Sequence, residues 1–188
     1  MAVKMWKLNE IVILLVLAVA LGVLWWGWTF ITGLLGPFLR PVGLNYLYVG
    51  LWFTGGTLVP YLIRKPGAAL VGELVAAAIQ GVITQWGITS LIWGLVQGAG
   101  CELVFALFHY KKYNLAVLIL AGMVAGIFSY ILDFFYSHYA GLQLWVIVVQ
   151  AVSIVISGAV LGGLLAYLIG RGIIKTGVLR TILPEEEN

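Results

Sequence analysis

Residues 11–30 read IVILLVLAVALGVLWWGWTF, a run without one charged or amide side chain. A helix of about 20 residues, rising about 1.5 Å each, crosses the roughly 30 Å hydrocarbon core of a bilayer. Such a run has no polar face to turn toward water, so it reads as a transmembrane helix. Ala18-Val19-Ala20 within it resembles a signal-peptide cleavage site, but the apolar character continues to Phe30, and a retained membrane anchor is the expectation. Working outward, five more apolar runs follow at 42–62, 67–84, 88–108, 115–136 and 145–170. The last is longer than a bilayer demands, which permits tilt. Between the runs lie Gly36-Pro37, Arg40-Pro41, Arg64-Lys65-Pro66-Gly67, Gln85-Trp86-Gly87, His109-Tyr110-Lys111-Lys112 and the segment 137–143. The expected fold is therefore all-α: a polytopic membrane protein of six transmembrane helices forming one domain over residues 1–188.

Composition agrees. Of 188 residues, 63% are hydrophobic and 9% charged, against about 45–50% and about 25% in soluble domains. A chain this short cannot hide so much apolar surface from water, because small domains leave a large share of their area outside. Nine of the ten Lys and Arg residues, namely Lys4, Lys7, Arg64, Lys65, Lys111, Lys112, Arg171, Lys175 and Arg180, fall on one side of a six-helix weave; Arg40 alone falls on the other. The bias of basic residues toward the cytoplasm places both termini inside and three loops, 31–41, 85–87 and 137–144, outside. Residues 185–187, all glutamate, read as a solvated tail. The single cysteine, Cys101, permits no intrachain disulfide and reads as core packing. The net charge of +3 gives no sign of a nucleic-acid partner.

Chemistry must come from the few polar residues in the spans, since an intramembrane ionisable group is costly and is by default a functional candidate. Three stand out: Glu73, Glu102 and Asp133. Glu10 sits at a span edge, where the interface can hydrate it. Helical phase sorts the remainder. Glu73, Ala76, Ala77, Gln80 and Thr84 share one stripe; Gln150, Ser153 and Ser157 share another; Tyr130 and Asp133 share a face. Trp93 and Gln97 lie together, while Glu102 points about 140° away, on the stripe of Gly94 and Gly98. Glu73 and Glu102 each lie about 9 Å into their spans from the same end. Bland readings stand beside these: the two glutamates can hydrogen-bond helices together, Asp133 can be hydrated at the interface, and Trp and Tyr near span ends can form an interfacial belt. No Ser/His/Asp set falls at one depth, no metal-ligand spacing appears, and residues 170–176 lack the second glycine of a phosphate loop. The inventory suits a binding cavity rather than an enzyme: carboxylates for a cationic or amine-bearing solute, amides for hydrogen bonds, and aromatic faces for stacking or cation–π contact.

Three segments carry a resemblance: RKPGAALVGELVAA at 64–77, Gln85-Trp86-Gly87, and GLVQGAGCELVFALF at 94–108. They resemble the YkoE family, substrate-binding S components of energy-coupling factor (ECF) transporters associated with thiamine or its hydroxymethylpyrimidine precursor. The resemblance implies a multi-pass subunit of the bacterial cytoplasmic membrane that binds its vitamin near the outer face, under a lid formed by the first outer loop. It implies a transmembrane coupling partner and two cytoplasmic ATPases, with ATP hydrolysis outside this chain and no cofactor within it; thiamine is the transported ligand. S components of this kind couple through an Ala-x-x-x-Ala pattern on helix 1, to which Ala18-x-x-x-Gly22 is the nearest match. Thiamine carries a thiazolium cation and an aminopyrimidine edge. The site residues implied are Glu73, Gln80 and Gln97 as polar contacts, Trp86, Trp93, Tyr130 and Tyr136 as aromatic walls, and Asp133 as counter-charge, with Glu102 a further candidate. Loop 31–41 and Asn45 are the expected closure. An outward pocket sits uneasily with two glutamates in the inner half. Two other readings compete: a scaffold subunit whose carboxylates only hold helices together, and a proton-coupled carrier titrating Glu73 or Glu102.

Overall fold

The computed structural model describes residues 6–179, so Lys4, Arg180 and the glutamate tail lie outside the described residues. The chain is helical in six traverses. These are α1 (Leu8–Leu39), a 3-10 helix Leu44–Phe53 that runs on into α2 (Thr54–Ile63), α3 (Ala68–Ile83), α4 (Ser90–Leu107), α5 (Leu115–Tyr136), and α6 (Leu144–Ser157), which passes through a π-helical stretch Gly158–Leu165 into α7 (Ala166–Lys175). Five stretches are apolar and long enough to span; α3, with 16 residues, is shorter. α3 lies at the centre of one half, flanked by α1, α2 and α4, and α5 packs between α4 and the α6 traverse.

Two expectations about boundaries change. Residues 31–39 are not a loop: α1 stays helical through Pro37 to Leu39, and only then turns through Arg40–Val42. Pro37 lies two residues before the end of α1, where little helix remains for it to disrupt. Gly43, at φ 73°, then makes the left-handed corner that a side chain would oppose. The second traverse is not one α-helix. Its first ten residues are 3-10, a form seldom sustained beyond 3–4 residues.

A broken helix inside a membrane is tolerated only where other groups satisfy its backbone. Here three side chains do so. The Ser157 hydroxyl accepts from the Gly50 N–H at 2.8 Å and donates to the Leu47 carbonyl at 2.7 Å. Thr57 donates to the Gly162 carbonyl at 2.5 Å. Glu73 accepts from the Gly56 N–H at 2.5 Å, where the 3-10 form has just given way to α. The two irregular stretches therefore cross at Gly50, Ser157 and Gly158, with Gly122 of α5 pressed on Gly158; a Cβ on any of these three glycines would collide with opposing backbone.

At the lysine-bearing end the Glu10 expectation also changes. Glu10 is buried and ion-paired to Lys65 at 3.0 Å, and it accepts the Lys7 N–H at 2.8 Å. Folding brings the α2–α3 turn over it and excludes the interfacial water that a lone helix would offer.

Candidate functional site

At the opposite end, where Arg40 lies, the helices part around a cavity of about 700 Å³. Its wall draws on every traverse: Trp25 and Thr32 from α1, the 3-10 row, Ala77 and Gln80 from α3, Trp93 and Gln97 from α4, Ser129, Asp133 and Tyr136 from α5, and Gln150 from α6. Three residues per turn puts positions i and i+3 in line. Tyr46, Val49 and Trp52 thus form one row facing the cavity, with Asn45 and Tyr48 on the next. An α-helix would have spread these three residues over an arc of about 120° instead of setting them in line. Two tryptophans of α1 hold this segment: Trp25 donates to Thr54 Oγ1 at 3.1 Å and Trp28 to the Tyr48 carbonyl at 3.0 Å.

Asp133 is the charge centre. Its Oδ1 accepts from Trp93 Nε1 at 2.7 Å and its Oδ2 from the Tyr46 hydroxyl at 2.9 Å, with the Tyr139 hydroxyl 3.1 Å from that of Tyr46. Both donors are neutral, and among the described residues no basic side chain pairs with it. Trp93 packs edge-on against Tyr136, ring centres 4.7 Å apart, and Trp52 against Trp86 at 5.9 Å. A carboxylate set among electron-rich rings has the chemistry that suits an organic cation. Deeper polar groups include Gln97, whose amide donates to Ser129 at 3.0 Å, and Gln80, only 3% exposed.

The expected site residues divide. Gln80, Trp86, Trp93, Gln97, Asp133 and Tyr136 stand on the cavity wall. Tyr130 stands one layer back, with its ring edge-on to Tyr46 at 5.2 Å and its hydroxyl 3.0 Å from the Ile147 carbonyl and 3.1 Å from Gln150 Oε1. Glu73 and Glu102 are not on that wall. Glu73 is fully buried between Gly56 and Gly98, its Oε1 without a partner among the described residues. Glu102 accepts from the N–H groups of Gly67 at 2.6 Å, Ala69 at 3.1 Å and Leu70 at 3.2 Å, so it caps the start of α3, where free donors and the helix dipole favour an anion. Burial and this neighbouring carboxylate push the Tyr110 phenol, beyond the end of α4, up to about 12. Both glutamates lie in the lysine-bearing half, and the cavity lies in the other.

Ala18 and Gly22 are likewise not displayed to a partner. Both are buried, and a Cβ on Gly22 would sit 2.7 Å from the Ala76 carbonyl oxygen of α3. The small residues serve close approach of α1 and α3 within this chain.

Residues that sequence reasoning missed are chiefly Tyr46, Trp52 and Tyr139. A recurrence of large side chains at every third position from 46 to 52 was the available signal.

Glu73→Gln keeps a carbonyl oxygen for Gly56 and is expected to leave ligand affinity within about twofold. Glu73→Ala strands a buried N–H and is expected to lose about 1–3 kcal/mol of stability. Thermal unfolding beside ligand titration separates the two; a large affinity loss in the glutamine variant would place Glu73 in the site.

The chain is 38% identical over 177 residues to YkoE of Bacillus subtilis (strain 168), a protein named as an HMP/thiamine permease, covering 94% of this chain and 88% of that one. The chain belongs to the YkoE family. A crystal structure of an S component of an ECF transporter superposes with a TM-score of 0.89 at 36% identity, covering 95% of this chain and 90% of that one. Residues 9–128 also match the model of an ABC-type cobalt transport system permease component. The fold is thus that of an S component, a multi-pass membrane transport subunit. Among the described residues no three His, Cys, Asp or Glu side chains converge.

Proposed function

We propose that this S component binds thiamine, or its hydroxymethylpyrimidine precursor, from outside the cell for an ATP-driven ECF importer. The observation that carries the reading is Asp133, a carboxylate with two neutral donors and no basic partner among the described residues, set in an aromatic cavity of about 700 Å³. Ligand sites are concave, of about 300–1,000 Å³, with few well-placed polar groups. A thiazolium gives Asp133 its missing counter-charge, Trp93 and Tyr136 offer faces and edges to its rings, and the amides of Gln80 and Gln97 suit an aminopyrimidine edge. The name of the Bacillus relative supports the same ligand class. The scaffold reading has no use for such a cavity.

The cavity opens at the end opposite Lys7, Lys65, Lys111, Lys112 and Lys175, so the basic-residue bias turns it outward and both termini toward the cytoplasm. Energy then comes from a transmembrane coupling subunit and two cytoplasmic ATPases. With Ala18 and Gly22 covered by α3, contact with the coupling subunit through α1 falls to its exposed flank at Val12, Val16, Val19 and Val23.

Tryptophan fluorescence of the purified protein tests the assignment, because Trp52, Trp86 and Trp93 all stand on the wall. Saturable quenching by thiamine without ATP is expected, with riboflavin inert. Flat titrations with both thiamine and hydroxymethylpyrimidine, on protein shown to be folded, would sink it.

A further inference from the structure

Arg40 is the one basic side chain on the cavity wall. Among the described residues it is also the single exception to the distribution that sends the other Lys and Arg to the opposite end. It is exposed at the mouth, and a Cβ on Gly36 would sit 3.4 Å from its Nε and 3.6 Å from its Cζ, so the missing side chain leaves the guanidinium room to lie along α1. Among the described residues its side chain makes no hydrogen bond or ion pair, and Asp133, on the same wall, is bonded by Trp93 and Tyr46 instead.

A receptor for a simple cation gains nothing from a guanidinium beside it, since like charges repel. Two opposite charges that line one cavity without pairing complement a ligand that carries both. A guanidinium is a planar fork of donors that never loses its charge, and it matches phosphate oxygens two at a time. We propose that Arg40 forms an anion subsite at the cavity mouth, so that the cavity accepts phosphate monoesters of its aromatic cation as well as the free alcohol. This deepens the thiamine reading and rests on it: the ring system occupies the Asp133 end and the pendant phosphate reaches Arg40.

The test compares thiamine with thiamine monophosphate on wild-type protein, Arg40→Gln and Arg40→Lys, by fluorescence titration in lipid-free detergent. The quantity read is the ratio of the two affinities. Loss of a charge-assisted contact is expected to lower the ester-to-alcohol ratio roughly tenfold or more in Arg40→Gln. Arg40→Lys, which keeps the charge without the fork, is expected to fall between. An unchanged ratio in Arg40→Gln, with thiamine still binding, overturns the subsite and leaves the thiamine reading intact. No binding of either compound to wild type overturns both. The same phosphate chemistry occurs in lipid headgroups, so the titration is repeated in nanodiscs containing phosphatidylglycerol. A change of ratio confined to nanodiscs would assign Arg40 to the lipid surface and overturn the proposal.

Discussion

Asp133→Asn is expected to weaken thiamine binding by about two orders of magnitude or more while weakening neutral hydroxymethylpyrimidine far less. The carboxylate is the one acidic group on the cavity wall, and its two partners, Trp93 and Tyr46, are neutral donors. Truncating one member of a buried hydrogen-bonded charge pair costs about 2–5 kcal/mol, and about 1.4 kcal/mol is tenfold in affinity. Asparagine preserves size and one acceptor, so Trp93 and Tyr46 need not collapse into the cavity, and what disappears is the charge. The prediction is therefore a change in selectivity between two ligands that differ in charge. Parallel titrations read it directly, and equal losses for both compounds would show that Asp133 supports the wall rather than the cation.

The second large effect concerns shape. Gly50→Ala places a methyl group on the Ser157 carbonyl oxygen, and Gly158→Ala places one on that of Gly122. Neither obstacle is a flexible side chain, so the backbones must separate. Such overpacking costs about 1–3 kcal/mol and occasionally more. The apparent unfolding midpoint in detergent is expected to drop by several degrees. Gly50→Ala should also weaken ligand binding, because the Ser157 bonds that hold the 3-10 form keep Tyr46 and Trp52 facing the cavity. Gly27→Ala is the control: nothing lies within 4 Å of a Cβ there, and alanine is the better helix former by about 1 kcal/mol. A midpoint as low in Gly27→Ala as in Gly50→Ala would mean that glycine loss in general, and not this crossing, destabilises the chain.

The apolar helices were legible because hydropathy over about 20 residues is a local property with one physical meaning in a bilayer, although α1 runs on to Leu39 instead of ending at Phe30 and α3 is shorter than a full span. Of the residues that stand on the wall, Gln80, Gln97 and Asp133 were legible because polarity inside a span is conspicuous and helical phase groups it, while Trp86, Trp93 and Tyr136 were named through the family resemblance. The period of α4 likewise separated Gln97 from Glu102. The same reasoning could not rank three carboxylates of like composition. Glu73 meets a backbone N–H 17 positions earlier, Glu102 meets donors 32 to 35 positions earlier, and Asp133 meets a tyrosine 87 positions away.

Local sequence by itself therefore determined that the chain is a bundle of membrane helices with a polar minority grouped by face. Tertiary structure alone decided which carboxylate stands on the cavity wall, and that the first half of the second traverse runs as a 3-10 row that turns Tyr46, Val49 and Trp52 inward. The reason is that a buried polar group takes its role from the partner that satisfies it. Here those partners, Ser157 for the broken helix and Gly56 for Glu73, arrive from other traverses only when the helices pack.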